Sequence, residues 1–236
     1  MATITNSIYE IVKIIHIICG FLALSTGLVP MFAAKGGKAH IFWGRIYYWA
    51  MFGVFITTVI FFVLYPTKVF YQFFLGIAIL SFYNTFTGVR ILKTKATGNA
   101  PELIDWVAAT VAAVCGLGMI ILAILVYLKE ANTLSILLSI FGLGILLTGI
   151  QDLRVFAGKV PREKMHWFFH HIARMMGSYA ATVTAFCVNI VPRFLPENMP
   201  SFVQLILWIA PGVIIGTVAN RWSKKYRNQM GNTAKK

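Results

Sequence analysis

Seven stretches of the sequence are apolar for about 20 residues or more, and this feature constrains the fold more than any other. A hydrocarbon core about 30 Å thick is crossed by about 20 residues of helix, because each residue rises about 1.5 Å. With 58% hydrophobic and 12% charged residues, the composition also excludes an ordinary soluble domain. The sequence therefore predicts an all-α, polytopic bundle of seven transmembrane helices. The spans lie near residues 8–33, 42–65, 69–92, 102–128, 133–151, 165–191 and 201–220.

The loops between these spans are short, so we expect a single transmembrane domain over residues 1–236 that ends in a basic tail, 221–236. Lys and Arg concentrate in the first, third and fifth loops and in the tail. Basic loops are retained on the cytoplasmic side, which predicts an outside N-terminus and an inside C-terminus. The net charge of +14 follows from this topology. Membrane lipids with anionic headgroups are the expected partners, and nucleic acid is not.

The sixth span begins with the stretch "MHWFFHHIARMMGSY" (165–179), where the bilayer penalises polar groups strongly. On a helical wheel His166, His170 and Arg174 lie within about 40° of their mean direction, so they are expected to point into the bundle. Small residues on that side mark a packing face, and a similar stripe is present in the fourth span. The two stripes are Gly177, Ala181 and Ala185, and Ala108, Ala112 and Gly116. The opposite side of the sixth span is expected to face lipid, with Phe168, Ile172, Met176, Tyr179, Val183 and Phe186.

The remaining histidines lie on three different surfaces. His171 is on the flank beside the inward face, and His40 opens the second span on the cytoplasmic side, where it could meet His166 or His170. His16 lies deeper, in the first span, and is not expected to share a ligand with His170. A structural interpretation is also open, in which these histidines are interfacial groups or hydrogen-bond a neighbouring helix.

The acidic residues are few. Glu102 and Asp105 begin the fourth helix, where acids complement the helix dipole, and helix initiation is the favoured explanation. Asp152 ends the fifth span and opposes the dipole, so it should need a cation, for which Arg45 and Arg154 are available.

Three further polar side chains are expected to interact with groups on other helices or with lipid. An inward Arg174 should have a partner such as Asp152, Asp105 or a lipid phosphate. Tyr83 and Asn84 of the third span are expected to bridge helices.

Three motifs together resemble a known family. They are a histidine in the first helix, Gly-Gly-x-x-His-x-x-x-Gly-Arg-x-Tyr at 36–47, and His-x-x-Arg-Met-x-Gly-Ser-Tyr at 171–179. The combination resembles a family of bacterial multipass membrane proteins whose domain is named only as one of unknown function. The resemblance implies a location in the bacterial cytoplasmic membrane and no established activity.

A b-type haem is the favoured cofactor. Histidines from two helices would be its axial ligands, from the set His40, His166, His170 and His171. Arg45, Arg174 or Lys164 would lie near the propionates. Redox use needs only histidines and basic residues, which makes a membrane redox protein the favoured function.

A zinc-dependent hydrolase of lipid or amide substrates is the alternative. His40, His166 and His170 would hold the metal, since an i, i+4 pair lies on one helical face. Asp152 or Asp105 would act as the base, and Ser178 or Arg174 would stabilise the oxyanion.

A transporter or pH sensor is the second alternative. The histidines and the arginine would then bind an anionic substrate or respond to pH. The sequence shows no inverted repeat and no matching pair of broken helices, which are the usual signs of a transporter.

Overall fold

The computed structural model describes residues 2–95, 100–160, 165–195 and 200–233. Every regular element in these ranges is helical. The seven α-helices are α1 (Ala2–Phe32), α2 (Lys38–Leu64), α3 (Val69–Arg90), α4 (Leu103–Lys129), α5 (Thr133–Phe156), α6 (His166–Ile190) and α7 (Ser201–Thr233). Two short 3₁₀ helices follow α3 and α6, at Ile91–Lys95 and Val191–Phe194.

All seven α-helices are long and apolar enough to cross a membrane. The predicted all-α architecture with seven spans is therefore confirmed. The direction of the termini stays a prediction, as does the single domain.

The helices extend beyond several predicted bounds. α1 begins at Ala2 instead of residue 8, and α5 ends at Phe156 instead of residue 151. α7 continues to Thr233, so the predicted tail is helical as far as the structure describes it. The predicted spans are bounded by charged residues, Pro or Asn, but Lys and Arg are good helix formers, and a single Asn or Asp lowers helix stability by less than about 1 kcal/mol.

The chain divides into two compact units. The first unit comprises Met1–Tyr83 and Pro101–Val160, and the second unit comprises Asn84–Ala100 and Pro161–Lys236. The division falls inside α3, after Tyr83.

In the first unit, α4 and α5 approach each other through glycine. A Cβ atom on Gly116 would lie 2.4 Å from the backbone nitrogen of Leu146, and one on Gly149 would lie 2.7 Å from that of Ala113. Side chains larger than hydrogen do not fit there, so the two backbones are in direct contact. Asp152 is on α5 three residues after Gly149, and it is buried.

The small-residue stripe predicted for α4 is largely confirmed, because Ala112 and Gly116 are buried. The stripe predicted for α6 is wrong, since Gly177 and Ala185 are exposed. The opposite side of α6 was expected to face lipid, yet Ile172, Met176 and Tyr179 are buried.

The physical reason for both errors lies in the neighbours of α6. Within the second unit this helix packs against α7 and against the 3₁₀ helix that follows α3. Large apolar side chains fill the spaces between helices as readily as they face lipid tails, so composition alone does not separate the two environments.

Candidate functional site

Arg174 is the one Lys or Arg residue of α6, and it is buried, with 7% of its surface exposed. Its Nε donates a hydrogen bond of 3.1 Å to Nε2 of His170, one turn earlier on the helix. Its Nη1 donates a second, also of 3.1 Å, to Oδ1 of Asn84 on α3. The predicted inward direction of Arg174 and the predicted bridging role of Asn84 are both confirmed.

The bond from Arg174 has a consequence for His170. An arginine N–H always donates, so Nε2 of His170 is the acceptor and carries no proton. Its lone pair is engaged by a permanent cation, which disfavours a second cation such as Zn²⁺ on the same nitrogen. His166 lies beside it, with ring centroids 5.3 Å apart.

His171 is oriented by the last turn of α3. Its Nδ1 lies 2.6 Å from the carbonyl oxygen of Gly88. Since a carbonyl only accepts, Nδ1 bears the proton and Nε2 is the basic nitrogen. Gly88 lies in the last turn of α3, so this hydrogen bond joins the start of α6 to the end of α3.

Ser178 and Thr85 form the most buried polar pair of the second unit. Their hydroxyl oxygens are 2.6 Å apart and both residues are fully buried. The hydroxyl of Ser178, predicted as an electrostatic aid in hydrolysis, is therefore engaged with α3.

In the first unit, His40 is held at the end of α1. Its Nδ1 lies 3.0 Å from the carbonyl oxygen of Pro30, so Nδ1 is again the protonated nitrogen. Nζ of Lys35 donates to the same oxygen at 2.9 Å and to the carbonyl of Met31 at 2.7 Å. Both carbonyls belong to the last turn of α1, which the helix leaves without N–H partners.

His16 has the same kind of anchor. Its Nδ1 lies 2.8 Å from Oγ1 of Thr57 on α2, and its ring centroid is 5.7 Å from that of Phe61. The Thr57 hydroxyl is also within 2.8 Å of the carbonyl of Gly53 and 2.9 Å of that of Val54. Its proton is directed to those carbonyls, which leaves its oxygen to accept from His16.

The two candidate carboxylates differ in their surroundings. Asp152 has 2% of its surface exposed, and its Oδ2 accepts a hydrogen bond of 2.5 Å from the hydroxyl of Tyr83. Asp105 accepts from the backbone N–H of Glu102 at 2.9 Å and completes a capping box at the start of α4. The predicted helix-initiating role of Asp105 is confirmed, and so is the bridging role of Tyr83.

The other basic candidates are peripheral. Arg45 and Arg154 are exposed. Lys164, expected near a haem propionate, lies outside the described residues.

Among residues 2–95, 100–160, 165–195 and 200–233, no group of three His, Cys, Asp or Glu side chains is placed to hold a metal ion. The zinc-hydrolase alternative and the transporter or sensor alternative stay predictions.

Four residues that orient histidines or hydroxyls are not among the candidates that the sequence predicts: Pro30, Thr57, Thr85 and Gly88. A threonine inside an apolar span is a usable signal, because its hydroxyl must find a partner away from water. Backbone carbonyls leave no such signal, since every residue has one.

Together these observations define the class of protein: an all-α chain with seven helices fit to cross a membrane, which carries oriented histidines and a buried arginine inside its helices. In comparisons with protein-family models, with curated proteins and with solved structures, nothing matches the chain. The resemblance to a bacterial membrane family stays a prediction.

Proposed function

We propose that the chain is a membrane redox protein that binds b-type haem through histidine Nε2 atoms. The observation that carries the proposal is that the same ring nitrogen, Nδ1, is hydrogen-bonded to an oxygen atom in three histidines. His16, His40 and His171 each direct Nδ1 at an oxygen atom, at 2.8, 3.0 and 2.6 Å. Each imidazole is thereby held in the neutral tautomer whose basic nitrogen is Nε2.

This arrangement is the usual support of a metal-bound imidazole. A ligating histidine commonly donates its second ring N–H to a carbonyl or another fixed acceptor, which sets the ring direction and raises the basicity of the ligating nitrogen. Haem, when bound, supplies reversible one-electron transfer. The chain's part is to hold the imidazoles and to balance the propionate charges.

Within the second unit, the geometry favours His171 over His170 as the ligand. Nε2 of His170 accepts from Arg174, whereas Nδ1 of His171 donates to Gly88. Arg174, a permanent cation in a buried position, is suited to a propionate.

The first test is the visible absorption spectrum of the detergent-purified protein, before and after dithionite, from cells with an adequate haem supply. A Soret band with α and β bands on reduction is expected. A featureless spectrum from folded protein overturns the proposal.

Single alanine variants then test the ligands. His171→Ala should lose most of the bound haem, and His170→Ala, the matched control one residue away, should retain it. The haem content of His16→Ala and His40→Ala tests the two histidines of the first unit as ligands in the same way. Haem retained at the wild-type ratio in all three of the oriented-histidine variants contradicts the proposed ligation. Thermal unfolding of each variant separates loss of haem from loss of fold.

A further inference from the structure

Basic side chains of the second unit collect at the end where α6 begins. Arg221, Lys224 and Lys225 lie on α7 directly after its apolar segment, and all three are exposed. Their spacing of three and four residues places them on neighbouring positions of one helical face.

Two aromatic contacts hold this part of α7 against the start of α6. The rings of Tyr226 and Phe168 meet edge to face, with centroids 5.2 Å apart. The guanidinium of Arg227 lies 4.4 Å from the ring centroid of Phe169. These two contacts hold the C-terminal part of α7 against the start of α6, and they fix the position of its basic side chains within the second unit.

The 3₁₀ helix Ile91–Lys95 brings further cations to the same end, since it packs against α6. Nζ of Lys95 lies 5.0 Å from the ring centroid of Trp167, in the first turn of α6. Lys93 and Lys95 are exposed. We call the set of Lys93, Lys95, Arg221, Lys224 and Lys225 the basic collar.

The described part of the second unit has no acidic side chain. Residues 84–95, 100, 165–195 and 200–233 contain neither Asp nor Glu. The amino end of α6 adds a positive partial charge, and Met165 at its N-cap provides no side-chain hydrogen bond.

We propose that the basic collar binds the phosphate groups of anionic phospholipids such as phosphatidylglycerol. An exposed apolar side chain adjoins the charges, since Leu92, beside Lys93, is 38% exposed. The apolar part of α7 ends at Asn220, immediately before Arg221. A ligand with acyl chains and an anionic head matches both surfaces, because headgroups begin where the hydrocarbon ends.

Fluorescence quenching by brominated lipids tests the proposal, because bromine quenches tryptophan on contact and Trp167 lies beside Lys95. The full chain is reconstituted in phosphatidylcholine bilayers that contain either brominated phosphatidylglycerol or brominated phosphatidylcholine. The difference in tryptophan fluorescence between the wild-type chain and the Trp167→Phe variant reports on the basic collar. We expect brominated phosphatidylglycerol to quench it at about one-tenth of the mole fraction that brominated phosphatidylcholine needs.

The variant Arg221→Gln/Lys224→Gln/Lys225→Gln should lose most of this preference. Lys68→Gln/Lys129→Gln/Arg193→Gln, which removes the same charge from other parts of the chain, should keep it. If the first variant fails to fold, Lys93→Gln/Lys95→Gln takes its place, with Lys68→Gln/Lys129→Gln as its control.

Equal quenching by the two brominated lipids in the wild-type chain overturns the proposal. Equal loss of preference in the collar variant and in its control overturns it as well, because the effect is then one of net charge and not of this surface.

Discussion

The contact between α4 and α5 and the surroundings of α6 show two different ways to join helices in lipid. α4 and α5 meet backbone to backbone at Gly116, Gly142 and Gly149, with no room for a Cβ atom. α6 instead joins α3 through side chains, with Arg174 on Asn84 and Ser178 on Thr85. Lipid tails are as apolar as leucine, so helices associate through close packing or through hydrogen bonds, and this chain uses each in a different place.

The largest expected effect concerns the glycine contact. Gly116→Ala places a Cβ atom 2.4 Å from the nitrogen of Leu146 and 2.8 Å from the carbonyl oxygen of Gly142. Backbone atoms do not move aside as a flexible side chain does, so we expect a loss of about 1–3 kcal/mol of stability. Thermal unfolding in detergent measures it.

Gly118→Ala is the matched control, two residues along the same helix. Nothing lies within 4 Å of a Cβ atom at that position. The variant should keep the wild-type midpoint or exceed it slightly, because alanine favours a helix over glycine. Equal losses at both positions would show that the close contact between α4 and α5 is not what stabilises the pair.

The next largest loss of stability is expected for a buried hydrogen bond in the first unit. Tyr83→Phe removes the donor to the carboxyl group of Asp152, which has 2% of its surface exposed. A buried acceptor that loses its donor costs about 1–3 kcal/mol, and the melting midpoint should fall accordingly. Tyr127→Phe, at a tyrosine that is 60% exposed, should leave the midpoint unchanged.

The hydroxyl pair of α3 and α6 should have a smaller effect. Ser178→Ala removes the partner of Thr85 and creates little empty volume. Interhelical hydrogen bonds in membrane proteins contribute about 0.6 kcal/mol on average, so we expect a loss near or somewhat above that value. The double variant Ser178→Ala/Thr85→Val should be no less stable than Ser178→Ala alone, and a further large loss would argue against the pair.

The smallest effect is expected at Gly177, the glycine of the stripe that was predicted to pack. A Cβ atom there would meet only the side chain of Asn84, at 3.7 Å. Gly177→Ala should therefore change stability by no more than about 0.5 kcal/mol. A loss as large as that of Gly116→Ala would show that α6 also depends on glycine contacts.

Side-chain chemistry explains which candidate residues were predictable. Arg174 is predicted to point inward because the helical wheel groups it with His166 and His170, and it is buried. Asp105 was expected to start α4 because Glu102, Asp105 and Pro101 form a local pattern, and local patterns need no tertiary contact.

Other properties of the site depend on neighbours distant in sequence. The helical wheel places His170 on the inward face as one of the candidate ligands, but Arg174 donates to its Nε2. A helical wheel gives no information about side-chain conformation. Nothing in the sequence pairs His171 with Gly88 or His16 with Thr57, since the partners are 83 and 41 residues away.

The sequence by itself determined the helical class and the number of membrane-length segments, because backbone hydrogen bonds must be satisfied inside lipid and about 20 apolar residues are needed to cross it. Only the tertiary structure decided which face of α6 is buried and which nitrogen of His16, His40 and His171 carries the proton. Apolar side chains suit lipid and protein alike, and a proton follows the nearest acceptor, so both properties depend on what the fold places next to each residue.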